Sequence, residues 1–331
     1  MITILEAEDS KYILLQKIGF GGTCSVFKGY EIGDNTHKLY AIKIFKEQHK
    51  KYFEKEIQIN KSLPPKHFLS LIKYGFGYIC QENVSNEQKQ IIDIILQKYY
   101  SNKIFYKIEE IAENGDLFNY VYEVGKGFPE KISAKIFINI LKKVKILHEN
   151  NIIHGDIKPE NILIGDDFRL KIIDFGFSQK LNNNSNIIYN IEGSETYSSP
   201  EMKKANFTGY DGIKSDIFAL GVMLFVITVG RFPFKTSGFS DKKYRLILSK
   251  RYEHYWKNFD KFNLSKEFKD LINHLVCFDP KQRLSIDDIF DHPWIKKNVV
   301  FNINNDDESC IDLDIINELK KRKDIMKKKT N

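Results

Sequence analysis

The chain of 331 residues has few cysteines and no long hydrophobic run, and each absence excludes a class of protein. Its four cysteines, Cys24, Cys80, Cys277 and Cys310, lie far apart without a CxxC pair, so neither a disulfide framework nor a zinc site is indicated. The most apolar run, residues 217–229, is shorter than the roughly 18 residues that span a bilayer. The sequence therefore predicts a reducing compartment and no membrane span.

We also expect neither a secretory leader nor a nucleic-acid-binding surface, and the sequence shows no internal repeat. The first residues, MITILEAEDSKY, carry acids and no basic region followed by an apolar core. No period typical of solenoids or propellers recurs. The net charge is +7, but much of the excess lies in a short Lys-rich terminal segment, so no nucleic-acid partner is predicted. We expect a cytoplasmic protein, with nuclear entry left open.

Hydrophobic residues make up 42% of the chain, enough for a substantial core, and their spacing changes along it. Over residues 12–45 apolar and polar residues alternate around a glycine cluster at 19–22, which predicts three antiparallel strands. Strand-like runs return at 71–79 and 104–111, and from residue 117 the spacing becomes helical. This order predicts an α+β fold of two lobes with a cleft between them.

Short motifs follow one another in a fixed order. They are GFGGTCSV at 19–26, AIK ending at Lys43, Glu56 in the next predicted helix, HGDIKPEN at 154–161, DFG at 174–176 and SPE at 199–201. This set resembles the eukaryotic protein kinase family over about residues 12–295, in its serine/threonine branch, and its overall look is similar to the calcium/calmodulin-dependent-type kinases. The resemblance implies a bilobal kinase fold: a small antiparallel β-sheet N-lobe with helix C (12–111), a larger, mostly helical C-lobe (112–295), and a basic, helix-compatible tail (296–331).

The resemblance implies transfer of the γ-phosphate of ATP to Ser or Thr hydroxyls of protein substrates. Asp156 would orient the substrate hydroxyl, and Lys158 would stabilise charge on the γ-phosphate. Asn161 and Asp174 would bind Mg²⁺, which prefers hard oxygen ligands. The stretch DIKPEN, with Lys158 two residues after Asp156, is similar to serine/threonine rather than tyrosine kinases.

The resemblance also implies an ATP-binding set. Lys43 would hold the α and β phosphates and would itself be steadied by Glu56, while the glycine-rich hairpin lets backbone approach the phosphates. The other predicted ATP-binding residues are Ile18, Gly19, Gly21, Gly22, Val26, Ala41, Glu110, Ala112, Asp116 and Leu163.

Three positions depart from the family's pattern. Gly155 stands where an Arg usually pairs with a phosphate on the activation segment. Phosphoryl transfer itself needs no such Arg, so the sequence predicts basal activity without activation-segment phosphorylation. Glu109 and Asn60 fall at positions that are usually apolar or, for Glu109, a small hydroxyl. An unpartnered buried polar group costs on the order of 1 to 3 kcal/mol, so either the alignment slips there or the active arrangement is less firmly held.

The ends of the motif set suggest structural contacts. By resemblance, Ser194 would bridge Asp156 and Lys158, and Glu201 would form a buried ion pair with Arg283.

In the tail, Ile311, Ile315 and Leu319 lie on one face ahead of KKRKDIMKKK. This pattern is compatible with a calmodulin-type target, an autoinhibitory helix that docks intramolecularly, or a solvated end. The sequence contains no EF-hand loop of its own.

Two alternatives to an active protein kinase stay open at this stage. A catalytically weak or silent kinase-like scaffold that binds nucleotide and partners is favoured by the three departures and opposed by the intact charged residues. A kinase of small molecules is opposed by the full-length activation segment ending in SPE. The helix-compatible insert at 81–102 receives no role.

Overall fold

The computed structural model describes residues 2–64, 67–82, 103–182, 185–204, 208–299 and 312–330. The chain divides into two compact units, Met1–Glu113 and Asn114–Asn331. The insert at 81–102 falls, from residue 83 onward, outside the described residues.

In its described residues, the first unit is an antiparallel sheet with one α-helix packed against it. Its elements are β1 (Ile2–Ala7), β2 (Lys11–Phe20), β3 (Cys24–Glu31), β4 (Tyr40–Lys46), α1 (Lys50–Ser62), β5 (Leu71–Glu82) and β6 (Ile104–Glu110). The strands pair in the order β1-β2-β3-β4-β6-β5, and β1 also pairs with β5. The three predicted strands and their hairpins are confirmed, whereas β1 was not predicted. Thr3, Ile4 and Leu5 are all buried, so β1 lacks the alternation typical of a half-exposed strand.

Two apolar clusters hold the first unit together. One lies among the strands and includes Leu5, Ile42 and Ile108, all fully or almost fully buried. The other joins α1 to the sheet through Phe53 and Ile57, which lie one helical turn apart and contact aromatic residues of β4 and β6. This second cluster determines which face of α1 packs against the sheet.

The second unit is mostly helical. Its helices are α2 (Leu117–Tyr122), α3 (Glu130–Glu149), α4 (Gly212–Val229), α5 (Lys242–Leu248), α6 (Tyr252–Lys257), α7 (Lys266–Leu275), α8 (Ile286–Asp291), α9 (Pro293–Asn298) and α10 (Leu313–Thr330). Its short strands are β7 (Ile152–Ile153), β8 (Ile162–Ile164), β9 (Leu170–Ile172), β10 (Gln179–Lys180), β11 (Ile187–Ile188) and β12 (Tyr210–Asp211), which pair as β7 with β10, β8 with β9, and β11 with β12.

Helix α4 contains the apolar run, residues 217–229, that by its own length is too short to span a membrane. The helix is 18 residues long with a mean hydropathy of 1.8, so by length and composition alone it passes that test, but 83% of it is buried inside the protein. Its Gly221 packs so closely that an added Cβ would lie 2.6 Å from the Cβ of Leu275 in α7. Close helix packing on several sides is the property of a core helix.

The tail helix α10 packs against α2 and α3 of its own unit. Leu319 is fully buried and Ile315 nearly so, while Ile311, the third residue of the predicted face, lies outside the described residues. Arg322 is 2% exposed and donates hydrogen bonds to the carbonyl oxygens of Tyr120, Lys126 and Gly127 at 3.0, 2.7 and 2.6 Å. Among the three alternatives for the tail, the structure shows a docked helix.

Candidate active site

A buried group of charged side chains lies in the first unit, between the sheet and α1. The Lys43 ammonium on β4 is 2.6 Å from Oε1 of Glu56 on α1. Lys43 is 7% exposed and Glu56 1%. The predicted pairing of these residues is therefore present in the structure.

Lys107 on β6 belongs to the same group, although it lies in none of the motifs. Its ammonium is 2.9 Å from the same Oε1 of Glu56, 2.8 Å from Oδ1 of Asn60 and 2.7 Å from Oε1 of Glu109. Lys107 is 1% exposed. Asn60 and Glu109, the two departures that would be costly without partners, thus share one buried cation. The cost of unpartnered polar groups does not apply to them.

The glycine-rich hairpin joins β2 to β3 by a short turn. The amide of Gly21 donates to the carbonyl of Cys24 at 3.0 Å, and a Cβ on Gly21 or Gly22 would meet nothing within 4 Å. The space beside these backbone amides is open. Gly19 is tighter, because its Cβ would lie 3.3 Å from Val26. Their phosphate contacts, and that of the exposed Ile18, stay predictions.

The segment that ends the first unit is tied to the start of β5. The amide of Glu110 donates to the Ser70 carbonyl, and the Glu110 carboxylate accepts from the Ser70 amide, both at 3.2 Å. Ala41 on β4 lies opposite Glu109 on β6, and Ala112 follows as a half-buried residue. The side chain of Glu110 is thus already bonded to Ser70. Its predicted contact with adenine would therefore be made by its backbone.

The catalytic-loop residues come together in the second unit around Asp156. One carboxylate oxygen accepts from the Ser194 amide at 2.8 Å, and the other accepts from Lys158 at 2.6 Å and from the Asn161 amide group at 3.1 Å. Lys158 also donates to the Ser194 hydroxyl at 2.7 Å, so Ser194 contacts both residues. Burial raises the pKa of Asp156, but the Lys158 charge and the hydrogen bonds outweigh it, and the net pKa lies below the usual Asp value. Asp156 is therefore an ionised acceptor at neutral pH.

Asp216 in α4 positions the backbone of this loop and was not selected from the sequence. Its carboxylate accepts from the amides of His154 and Gly155 at 2.9 and 3.0 Å and contacts His148 at 2.9 Å. The buried His154 ring accepts from the Asp156 amide at 3.2 Å. A carboxylate directly before the most apolar run of the chain was the available signal, because a charged group that is buried needs partners.

A backbone hydrogen bond brings the segments of the two predicted metal ligands, Asn161 and Asp174, next to each other. The amide of Ile173, the residue before Asp174, donates to the carbonyl of Asn161 at 3.0 Å. The Asn161 side chain also donates to the Asp156 carbonyl at 2.8 Å, which fixes its orientation. Asp174 has a φ of 67°, a left-handed conformation that is uncommon for a non-glycine residue. Such outliers persist where the surrounding structure holds them.

Gly155 has no room for a side chain. Its φ is 76°, and an added Cβ would lie 2.8 Å from the carbonyl oxygen of Phe177. Gly193 of the activation segment packs against it, since a Cβ there would lie 2.5 Å from the Gly155 carbonyl oxygen. The next residue, Ser194, bonds to Asp156 and Lys158. In this structure the end of the activation segment is held by close backbone packing and a serine.

Asp116 and Leu163 occupy an edge of the second unit. Asp116 forms an isolated bridge with Leu163 and caps α2, where both of its carboxylate oxygens accept from Asn119, at 2.9 and 2.7 Å. Burial raises the pKa of Asp116. The structure thus gives Asp116 a capping role, and its predicted ribose contact stays a prediction.

Glu201 and Arg283 form a bidentate ion pair, with N···O distances of 2.5 and 2.7 Å. Arg283 is 2% exposed and also donates to the carbonyls of Cys277 and Lys214. The interpretation of this pair as structural agrees with these contacts, because planar guanidinium and carboxylate groups match in geometry.

The structure therefore brings the predicted residues together in two sets. Lys43 and Glu56 meet in the first unit, and Asp156, Lys158 and Asn161 meet in the second, where Asp174 adjoins Asn161 through the backbone. Action of both sets on one nucleotide stays a prediction.

Comparisons with known proteins agree with this geometry. The family profile described as protein kinase domain matches residues 12–295. A calcium/calmodulin-dependent protein kinase of Emericella nidulans is 30% identical over 270 residues, covering 75% of this chain and 60% of the relative. The serine/threonine-protein kinase cds1 of Schizosaccharomyces pombe is 29% identical over 306 residues, covering 88% of this chain and 60% of the relative. An Aurora kinase of Dictyostelium discoideum is 34% identical over 201 residues, covering 60% of this chain and 49% of the relative.

The chain thus spans no more than 60% of the length of these relatives.

Proposed function

The chain belongs to the protein kinase domain family, and on this premise we propose that it transfers the γ-phosphate of ATP to Ser or Thr hydroxyls of protein substrates. The observation that carries the proposal is the bonding around Asp156. This carboxylate is ionised, buried and fixed by Lys158, Asn161 and Ser194. Phosphoryl transfer asks little covalent work of a protein and depends on positioning and charge.

Asp156 would orient the substrate hydroxyl. Each oxygen of an ionised carboxylate has two lone pairs, so Asp156 can accept a hydroxyl proton beside the bonds that already fix it. The Lys158 ammonium, 2.6 Å from the Asp156 carboxylate, would stabilise negative charge on the γ-phosphate during its transfer. The Lys43 ammonium, held by Glu56, would bind the α and β phosphates of ATP.

Asn161 and Asp174 fit Mg²⁺ in their donor chemistry. Both offer hard oxygen ligands, and their backbones adjoin through the bond from the Ile173 amide to the Asn161 carbonyl. Bound Mg²⁺ would neutralise charge on the phosphates of ATP. The part of Asn161 is then to hold its amide oxygen in place, which its bond to the Asp156 carbonyl supports.

We further propose that activity does not require phosphorylation of the activation segment. The support is that Gly155 has neither an Arg side chain nor space for one, while Gly193 and Ser194 already attach the segment to the catalytic loop. A phosphate acts by creating charge-assisted bonds that order a segment, and here the order exists without one.

A catalytically silent scaffold is the alternative, and its main support is weakened. Glu109 and Asn60 favoured it as unpartnered polar residues, but both bond to Lys107. Gly155 remains in its favour, although that residue bears on control rather than on transfer.

Incubation of purified protein with labelled ATP, Mg²⁺ and a basic acceptor protein tests the proposal. We expect label on Ser and Thr of the acceptor, and its loss with the Asp156→Asn variant prepared in parallel. Equal label with both proteins would identify a contaminant. Absence of label with the wild type, although it binds MgATP, would favour the scaffold.

We propose that the tail acts as an intramolecular element rather than as a calmodulin target. One relative is a calcium/calmodulin-dependent kinase, but the apolar residues that such a partner would bind, Ile315 and Leu319, are buried here against the second unit. Calcium-loaded calmodulin should therefore leave the rate of the full chain unchanged. A rise in rate on adding it would contradict this assignment.

A further inference from the structure

The contacts of Lys107 give this residue a role beyond satisfying two unusual neighbours. Strands β4 and β6 are antiparallel, and their register places Lys43 directly opposite Lys107. Like charges directly opposite each other in a sheet are destabilising. An anion is therefore needed at this point, and Glu56 supplies it: the same oxygen, Oε1, lies 2.6 Å from the Lys43 ammonium and 2.9 Å from that of Lys107.

Helix α1 contacts Lys107 at two positions on one face. Glu56 and Asn60 are four residues apart, which places them one above the other on a helix. Both accept hydrogen bonds from the Lys107 ammonium. Besides the apolar contact of Phe53 with Phe105, one side chain of β6 thus bonds to two successive turns of the helix.

The charges of this group balance. Lys43 and Lys107 are opposed by Glu56 and Glu109, and all four side chains are no more than 9% exposed. Hydrogen bonds to buried charged groups are stronger than neutral ones because little water competes with them. Removing Lys107 alone would leave the buried Glu109 carboxylate without its ion-pair partner, whereas Lys107 also contacts Glu56 and Asn60.

We propose that Lys107 is a positioning residue that holds α1 on the sheet and thereby keeps Glu56 against Lys43. The proposal rests on the proposed function, in which Lys43 binds the phosphates of ATP. In this arrangement the Lys43–Glu56 pair is maintained by a partner built into β6. The helix is therefore held without help from a bound nucleotide or from a phosphate on the activation segment.

The variant that tests this role must avoid an orphaned carboxylate. Lys107→Met alone leaves Glu109 buried without its cation, so it can fail to fold for that reason alone. The double variant Lys107→Met/Glu109→Met removes one positive and one negative charge and leaves Lys43 and Glu56 intact. Glu109→Met alone is the matched control, since Lys107 keeps its bonds to Glu56 and Asn60.

Two measurements on the nucleotide-free protein decide the proposal. The first is amide hydrogen exchange in Lys50–Ser62, which should become about 10- to 100-fold faster in the double variant, as lost bonds to a charged group imply. The second is the rate at which an acetylating reagent modifies Lys43, which should rise as its partner is released. Amides of β3 and β4 should keep their wild-type exchange, and the Glu109→Met control should resemble the wild type in both measurements.

A purely structural residue would give a different result. It would lower the thermal unfolding temperature while leaving both α1 exchange and Lys43 reactivity at wild-type values below that temperature; this outcome overturns the proposal. Faster α1 exchange with unchanged Lys43 reactivity also overturns it, because Lys43 would then not depend on the helix.

Kinetics separate this inference from the proposed function. If both hold, the double variant has a raised KM for MgATP, while the KM for the acceptor protein changes little. If the wild type transfers no phosphate beyond the Asp156→Asn background, the proposed function fails, but the exchange and acetylation measurements still decide whether Lys107 positions α1 and Lys43.

Discussion

Two buried charged centres among the described residues are held in different ways. In the first unit, Lys43, Glu56 and Lys107 are joined by ion pairs between long side chains that come from two strands and a helix. In the second, Asp156 and Asp216 accept hydrogen bonds from backbone amides, and the chain around them follows a fixed path. The first centre can lose its geometry if a helix moves. The second is held by backbone amides in addition to the side chains of Lys158 and Asn161, so its geometry depends on backbone packing as well.

This difference bears on control. A centre held partly by backbone amides and by side chains within one short loop needs no added charge to become ordered, which agrees with a glycine in place of the usual arginine at residue 155. A centre assembled by side chains needs a device that keeps the helix in place, and Lys107 fits that need.

The largest effect is expected from Asp156→Asn, which tests whether the second centre performs the chemistry. The amide cannot accept the hydroxyl proton as the carboxylate does, so kcat should fall by roughly 10²- to 10⁴-fold. The affinity for MgATP, measured by titration, should stay within a few-fold of the wild type. A variant with full kcat would remove Asp156 from the mechanism.

A large loss of stability is expected where a side-chain ion pair supports the second unit. Arg283→Met leaves Glu201 without its bidentate partner and should reduce the free energy of unfolding by about 3 to 5 kcal/mol, measured by urea titration. Lys297→Met breaks the exposed pair with Glu267 and serves as the control, with a much smaller expected loss because solvent screens exposed charges. Equal losses from both variants would show that burial does not determine how much an ion pair contributes to stability.

The backbone packing of the second centre is tested by Gly155→Ala. Gly125 has a similar positive φ of 71°, but a Cβ there would meet nothing within 4 Å. Gly125→Ala therefore carries the conformational strain alone, about 1 kcal/mol or slightly more, whereas Gly155→Ala adds the clash with Phe177 and should cost clearly more. The same loss for both variants would mean that Gly155 is not tightly packed.

The smallest effect is a shift in pH dependence. Lys158 lowers the pKa of Asp156 while burial raises it, so Lys158→Met should raise that pKa. Asp156 must be ionised to accept a proton, so the acidic limb of the kcat/KM profile should move to higher pH. Lys180→Met, at an exposed residue of β10, should leave the limb in place. A shift to lower pH would contradict the assigned sign.

Sequence reasoning was most successful where the residues of a site lie within one short segment. Asp156, Lys158 and Asn161 lie within six residues of each other, and their contacts follow from that spacing. The fold class followed from the change of period and from the order of the motifs, and both the structure and the family match confirm it.

The partners of Lys107 could not be predicted in this way. Asn60 and Glu56 lie 47 and 51 residues before it, and only the β4–β6 register and the rotation of α1 bring the three together. Arg322 is a similar case, because it is buried against carbonyl oxygens that lie about 200 residues earlier in the chain. A lone charged residue on a sequence is usually a surface group, and only tertiary contacts reverse that expectation.

The most direct test of the account is the initial rate of protein that carries no phosphate, verified by intact mass. We expect Ser/Thr phosphorylation of the acceptor to begin without a lag, at a rate far above that of Asp156→Asn. That rate should not rise as the activation segment becomes phosphorylated at Ser185, Tyr189, Ser194 or Thr196. A lag at the background rate that ends only when one of these residues gains phosphate would contradict the account.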